Sequence, residues 1–182
     1  MAGQCRIVTV VGNPKAGSRT LEVALDLSRQ VTAWFESLGT TVQASAIDLA
    51  ELAPAMFDWE NGRANEAVQR ATDANLLIVA SPTYKATYTG LLKAFVDRFP
   101  PNALDGTVAI PVMVAAAPIH ALAVETYLRP LLIELGASCP TRGLFVLESQ
   151  LPDLESVVAK WLAGAAPWLS AEAWASERIP SG

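Results

Sequence analysis

The strongest constraint on this chain is its end-to-end alternation of continuous β-branched apolar runs with amphipathic helical patterns. Residues 6–11 read Arg-Ile-Val-Thr-Val-Val, a run without polar alternation, as in a strand buried on both faces. Residues 41–47, 76–80, 108–116 and 143–147 predict four more strands. Between the first two, Leu21, Ala24, Leu25, Val31, Trp34, Phe35 and Leu38 predict one apolar helical stripe, with Glu22, Asp26, Arg29 and Gln30 off it and Gly39 as its stop. Residues 49–62 read as irregular and 66–74 as a short helix. Residues 91–99 predict a helix stopped by Pro100-Pro101. Residues 121–135 predict a helix stopped by Gly136 and kinked at Pro130, which lacks a backbone donor. Asp153 is placed to cap a last helix that buries Leu154, Val157, Val158, Trp161 and Leu162.

Strands joined by helical crossovers pair in parallel, and helices must cover both faces of such a sheet. Right-handed crossovers and short connections favour the order 2-1-3-4-5, the flavodoxin-like three-layer α/β sandwich. With 182 residues, 52% of them hydrophobic, one domain over 1–182 with a full core is expected. Ligands of such sheets bind outside the carboxyl ends of the strands. That end collects residues 12–20, 82–90 and 115–120.

Thirteen Lys and Arg against eighteen Asp and Glu give a net charge of −5, which argues against nucleic-acid binding through phosphate neutralisation. Cys5 and Cys139 make neither a disulfide framework nor a zinc site, and read as small buried apolar residues. Asp48, Glu51, Asp58 and Glu60 are spread carboxylates without further ligands, so no metal is expected. The first residues lack a basic segment followed by a long apolar run. Residues 106–124 carry no charge, yet Pro111, Pro118 and His120 make them a strand, a loop and a helix start rather than a membrane span. A cytoplasmic protein without membrane contact is the expectation.

Two segments carry chemistry. Residues 12–20, Gly-Asn-Pro-Lys-Ala-Gly-Ser-Arg-Thr, place two glycines, hydroxyls and two cations at a helix N-terminus, which suits an anion. Ser18 and Thr20 can donate to phosphate oxygens, and Lys15 and Arg19 supply charge. The spacing of Gly12 and Gly17 mimics a Walker A loop, but Ser18-Arg19 stands where Lys-Ser/Thr is needed, and no GxGxxG is present. A capped helix with Ser18 as cap and Arg19 in solvent fits the same residues. Residues 81–90, Ser-Pro-Thr-Tyr-Lys-Ala-Thr-Tyr-Thr-Gly, are long for a strand-to-helix turn. Tyr84, Lys85 and Tyr88 suit a flat ring system, or packing on a partner subunit or the following helix.

The second segment, continued through Gly90-Leu91-Leu92-Lys93-Ala94-Phe95-Val96-Asp97, resembles the signature of the NAD(P)H-dependent FMN reductases. The 12–20 loop is similar to their phosphate loop, and His120 to Val124 with Leu128-Arg129-Pro130-Leu131-Leu132 resembles the helix after their fourth strand. The subgroup paired with alkanesulfonate monooxygenases is the most similar. The resemblance implies FMN phosphate on Asn13, Lys15, Ser18, Arg19 and Thr20, and isoalloxazine along Pro82, Thr83, Tyr84 and Lys85. Asn13 stands where a serine is common. Ala115 and Ala116 stand where many relatives carry Gly-Gly, so their methyl groups are expected to loosen the pyrimidine edge and make FMN a dissociable substrate.

The implied reaction is hydride transfer from C4 of NADH or NADPH to N5 of FMN. It needs stacked rings and excluded water, and no catalytic side chain is named. Reduced FMN would go to a partner monooxygenase; the alternatives are a quinone or azo reductase with bound FMN, and a non-enzymatic flavin-binding electron-transfer module. A homodimer, or a homotetramer of two such pairs, is also implied, because the 82–90 loop and the 121–135 helix are apolar over wide faces. His120 reads as a capping or packing residue, Lys93 and Asp97 as a solvated or interface pair, and Trp168 and Trp174 as packing on the domain or a neighbour.

Overall fold

The computed structural model describes residues 4–169. Five parallel strands run in the order β2-β1-β3-β4-β5: β1 Gln4–Val11, β2 Thr41–Asp48, β3 Leu76–Pro82, β4 Val108–Ala115 and β5 Leu144–Leu147. This is the expected flavodoxin-like sheet. The central strands β3 and β4 are buried along their whole length, which is why their sequences are continuously apolar. β2 lies at an edge and is largely exposed, and its residues Gln43 and Ser45 mark that position.

Helices α1 (Arg19–Ser37) and α5 (Leu154–Ala165) cover one face over Ile7, Val11, Ile78, Ile110 and Val112. The other face is covered by α2 (Gly62–Thr72), α3 (Gly90–Val96) and the region ending in α4 (Arg129–Glu134), packed on Val8, Val10, Leu77, Val79 and Met113.

Several local expectations are corrected. The apolar stripe of α1 is corrected in part: Ala24, Val31 and Phe35 are buried as expected, Val23 and Leu27 are fully buried as well, and Leu25 and Leu38 are 44% and 54% exposed. Helix α2 starts at Gly62, because the Asn61 side chain accepts from Ala64 N–H and caps it there, and it ends at Thr72. Helix α3 ends at Val96, before the double proline. The stretch 49–62 contains two 3₁₀ turns, Leu49–Glu51 and Ala53–Ala55. β3 continues through Ser81 and Pro82, and β4 stops at Ala115. Asp153 stands at the N-cap position of α5, but its carboxylate makes no capping hydrogen bond.

The segment expected as one kinked helix is broken more deeply. A 3₁₀ turn, Pro118–His120, is followed by a π-helical turn, Val124–Leu128, before α4. Pro130 lies in the first turn of α4, where no donor is required, and Arg129 N–H reaches back to Val124 O. The π turn therefore places the irregularity ahead of the proline, where its ring meets no regular i−4 carbonyl.

One ion pair clamps this segment to the chain entering β5. Arg129 Nε donates to Glu125 Oε2 at 2.5 Å, and Nη1 donates to Cys139 O at 2.6 Å. Its Nη2 donates to Thr141 O, while Glu125 Oε1 accepts from Gly143 N–H at 2.7 Å. The hydrogen bond from Arg129 holds the Glu125 carboxyl below its usual range, with Gly143 N–H assisting. A carboxyl depressed on folding stabilises above its unfolded value and loses that contribution as pH falls through its folded value. Glu125→Gln should therefore flatten the acid limb: its thermal midpoint falls less steeply than that of the wild type below about pH 4, the ordinary glutamate range. Parallel acid limbs in a calorimetric pH series would contradict the clamp.

Candidate flavin and nucleotide site

The loop from Gly12 to Ser18 joins the carboxyl end of β1 to α1. Asn13 is buried and organises it: Oδ1 accepts from Lys15 N–H at 2.9 Å, and Nδ2 donates to Thr20 Oγ1 at 3.1 Å. Gly17 takes φ +60°, a left-handed conformation that glycine adopts freely. Ser18 caps α1, accepting from Leu21 N–H at 3.2 Å. The hydroxyl protons of Ser18 and Thr20 remain available for donation, because in these bonds both oxygens accept. The side chain of Arg19 is largely exposed and pairs with Glu148 at 2.5 Å.

The second loop follows β3 and is fastened at both ends. Ser81 Oγ accepts from Thr89 N–H at 3.0 Å and donates to Pro82 O at 2.9 Å. Thr89 caps α3 by accepting from Leu92 N–H, and its hydroxyl donates to Gly12 O at 2.5 Å. Gly12 N–H in turn donates to Ala80 O at 2.7 Å. A Cβ on Gly12 would lie 2.5 Å from Leu92 Cβ, so only a bare backbone lets the first loop approach α3 this closely.

Within the second loop, Tyr84 and Thr87 exchange backbone hydrogen bonds of 2.8 and 3.2 Å across a two-residue hairpin turn. Its central residues, Lys85 and Ala86, take φ 51° and 70°. Glycine and asparagine are the usual occupants of such a turn, so this one is strained. Tyr84 is left 49% exposed. Thr83 N–H donates to Val114 O at 2.8 Å, while Thr83 Oγ1 is buried without a partner.

The two loops line a cavity of about 470 Å³. Of the residues singled out from sequence, Asn13, Lys15, Ser18, Arg19, Thr20, Pro82 and Tyr84 meet there. Thr83, Lys85, Ala115, Ala116 and His120 do not line it. Ala115 is buried at the end of β4, paired with Leu147, and neither Ala115 nor Ala116 adopts a positive φ, so alanine costs no backbone strain at either place. Gly17 of the first loop lines the cavity too, and Val114 and Glu148 do so without having been singled out. Glu148 had no local signal, since it lies 129 residues from the arginine it meets.

A larger groove, about 690 Å³, runs between β5 and α5 beside Phe145, Trp161 and the 64%-exposed Trp168. It holds neither loop, so size does not make it the reaction site. Trp174 lies outside the described residues. Lys93 and Asp97 form the expected exposed ion pair on α3. Cys5 is buried and Cys139 half-buried, and burial pushes both thiols up to about 11, so neither is a thiolate at neutral pH. Among the described residues no group of three potential metal ligands comes together, and no helix is long and apolar enough to cross a membrane.

A phosphate-suited loop beside a rigid loop with an exposed tyrosine, at the carboxyl edge of a 2-1-3-4-5 sheet, defines a flavodoxin-like flavin protein. Residues 5–151 match the family model described as NADPH-dependent FMN reductase, and the chain belongs to that family. It is 33% identical over 153 residues to the FMN reductase (NADPH) of Escherichia coli strain K12, covering 81% of this chain and 76% of that one. To the NADH-dependent FMN reductase SfnF of Pseudomonas putida it is 32% identical, covering 77% and 76%. Among solved structures it resembles the apo form of an NADH:FMN oxidoreductase (EMOB), with TM-score 0.76, 32% identity and coverage of 86% and 88%. An oxidoreductase from Corynebacterium diphtheriae gives TM-score 0.80 at 27% identity, covering 91% and 97%.

Two substitutions test this architecture in chemical denaturation. Gly12→Ala should destabilise by roughly 1–3 kcal/mol through overpacking against Leu92. Ala86→Gly should stabilise by about 1 kcal/mol by relieving the left-handed turn. A neutral Gly12→Ala, or a destabilising Ala86→Gly, would contradict the described packing.

Proposed function

We propose that the chain reduces FMN with NADPH or NADH as electron donor, holding the flavin phosphate on Asn13, Lys15, Ser18, Arg19 and Thr20. Pro82, Thr83, Tyr84 and Lys85 run along the isoalloxazine, with Ala115 and Ala116 at its pyrimidine edge. The observation that carries this reading is the convergence, in one cavity, of two cations and a capped helix N-terminus with Pro82 and Tyr84. The donor set fits FMN. Lys15 and Arg19 supply charge, and Ser18 and Thr20 keep hydroxyl protons free to donate. When bound, the flavin supplies a hydride acceptor for the nicotinamide. The chain binds and orients the rings and excludes water, and no side-chain acid or base is required.

Free FMN as a dissociable substrate, handed in reduced form to a monooxygenase, is the reading we favour; the half-exposed Tyr84 and the solvent-facing Arg19 support an open site. Free thiols at Cys5 and Cys139 support a reducing, cytoplasmic setting. A homodimer or homotetramer is supported by Ile119, Leu122 and Tyr127 in the segment leading into α4 and Ile133 within it, 83%, 74%, 46% and 53% exposed.

Steady-state assays with free FMN should give oxidation of NADPH or NADH. No nicotinamide oxidation with any acceptor would overturn the enzyme reading, and flavin left yellow by excess NADPH and NADH would identify a binding module. Lys15→Ala should raise the KM for FMN about tenfold with kcat within about twofold, the loss of one charge-assisted contact of about 1.4 kcal/mol. Light scattering at micromolar concentration should report a dimer or tetramer, and a monomer would contradict the assembly.

A further inference from the structure

We propose, resting on the reading of this cavity as the flavin phosphate site, that Glu148 competes with the phosphate for Arg19 and thereby sets how loosely FMN is held. Glu148 is the first residue after β5, in a 3₁₀ segment, Glu148–Asp153, fixed to the strand by Leu147 N–H donating to Gln150 Oε1 at 2.9 Å. Its carboxylate lines the same cavity as Lys15, Ser18 and Arg19, and its Oε2 lies 2.5 Å from Arg19 Nη1.

An anion site facing two cations carries a fixed carboxylate on its rim. Glu148 cancels one of the two positive charges and occupies a guanidinium edge that a phosphate would take. FMN carries a phosphate near −2 at neutral pH, so its binding must break the Arg19–Glu148 pair or accept repulsion from it. Both side chains are substantially exposed, 62% for Arg19 and 40% for Glu148, so solvent screens the pair and the exchange is mild rather than prohibitive. Riboflavin has the same ring and no phosphate, and it is indifferent to this exchange. Glu148 is a specificity-determining residue for the flavin side chain. It shifts the site from tight retention of FMN toward exchange.

The test is fluorescence titration of FMN and riboflavin on the full chain, wild type and Glu148→Gln, at low and moderate salt. Glu148→Gln should tighten FMN about fivefold at low salt, with a smaller gain at higher salt, and leave riboflavin within about twofold. In an Arg19→Gln background the same change should tighten FMN less than twofold, because the contested partner is gone. Unchanged or weaker FMN binding in Glu148→Gln, or equal tightening of riboflavin, would overturn the role of Glu148. Wild-type protein that binds neither flavin would overturn the reading of the cavity itself, and the role of Glu148 with it. Circular dichroism checks that the variant folds; should it not, Glu148→Ala gives the same comparison.

Discussion

The site depends on one contact between backbone and hydroxyl. Gly12 carries no Cβ, so the loop leaving β1 can pass directly against Leu92 of α3, and Thr89 can donate to Gly12 O while its oxygen caps α3. That single threonine ties the loop after β1 to the loop after β3. Ser81, which accepts from Thr89 N–H, closes the same circuit on β3. A Cβ at residue 12 would force the two loops apart, and an unbonded Gly12 carbonyl in this buried place would leave a polar group unsatisfied. The parallel sheet brings the two loops to one edge, and this contact fixes their separation.

Electrostatics then divide the cavity into two parts. At the α1 end, Lys15, Arg19 and the helix N-terminus make an anion-attracting corner within a chain of net charge −5. On the other side, Pro82 and Tyr84 present a flat, largely apolar surface. Such a site separates the handle of a ligand from its reacting ring. In the proposed reading, charge recognises the handle, and the ring is left to react with a second flat molecule. Glu148, paired with Arg19, places a negative charge at the rim of that corner.

The sheet was legible because both-face burial leaves continuous apolar runs: β4 is apolar at every position, β3 at all but Ser81, and β1 from Ile7 to Val11 at all but Thr9. The two loops were legible because glycine, hydroxyl and cation spacing reflects local backbone needs, as Gly17 at φ +60° and Ser18 at the cap illustrate. What stayed hidden depends on partners distant in sequence. Leu25 and Leu38 look as apolar as Val23 and Leu27, and only the placement of α1 against α5 and the sheet decides which are buried. The Lys85-Ala86 turn lacks the Asn-Gly signal of its conformation, because surrounding hydrogen bonds impose it. The π turn before α4 is spanned by the Glu125–Arg129 pair and precedes Pro130, and no single residue announces it.

Both loops, tied through Thr89 and Gly12, are proposed to form one flavin site. Amide hydrogen exchange with and without saturating FMN tests it most directly. Exchange should slow in residues 13–20 and in residues 83–89 together, with residues 43–46 of the exposed β2 edge and the groove beside Trp161 unchanged. Protection of only one loop, or protection centred on the β5–α5 groove, would contradict it.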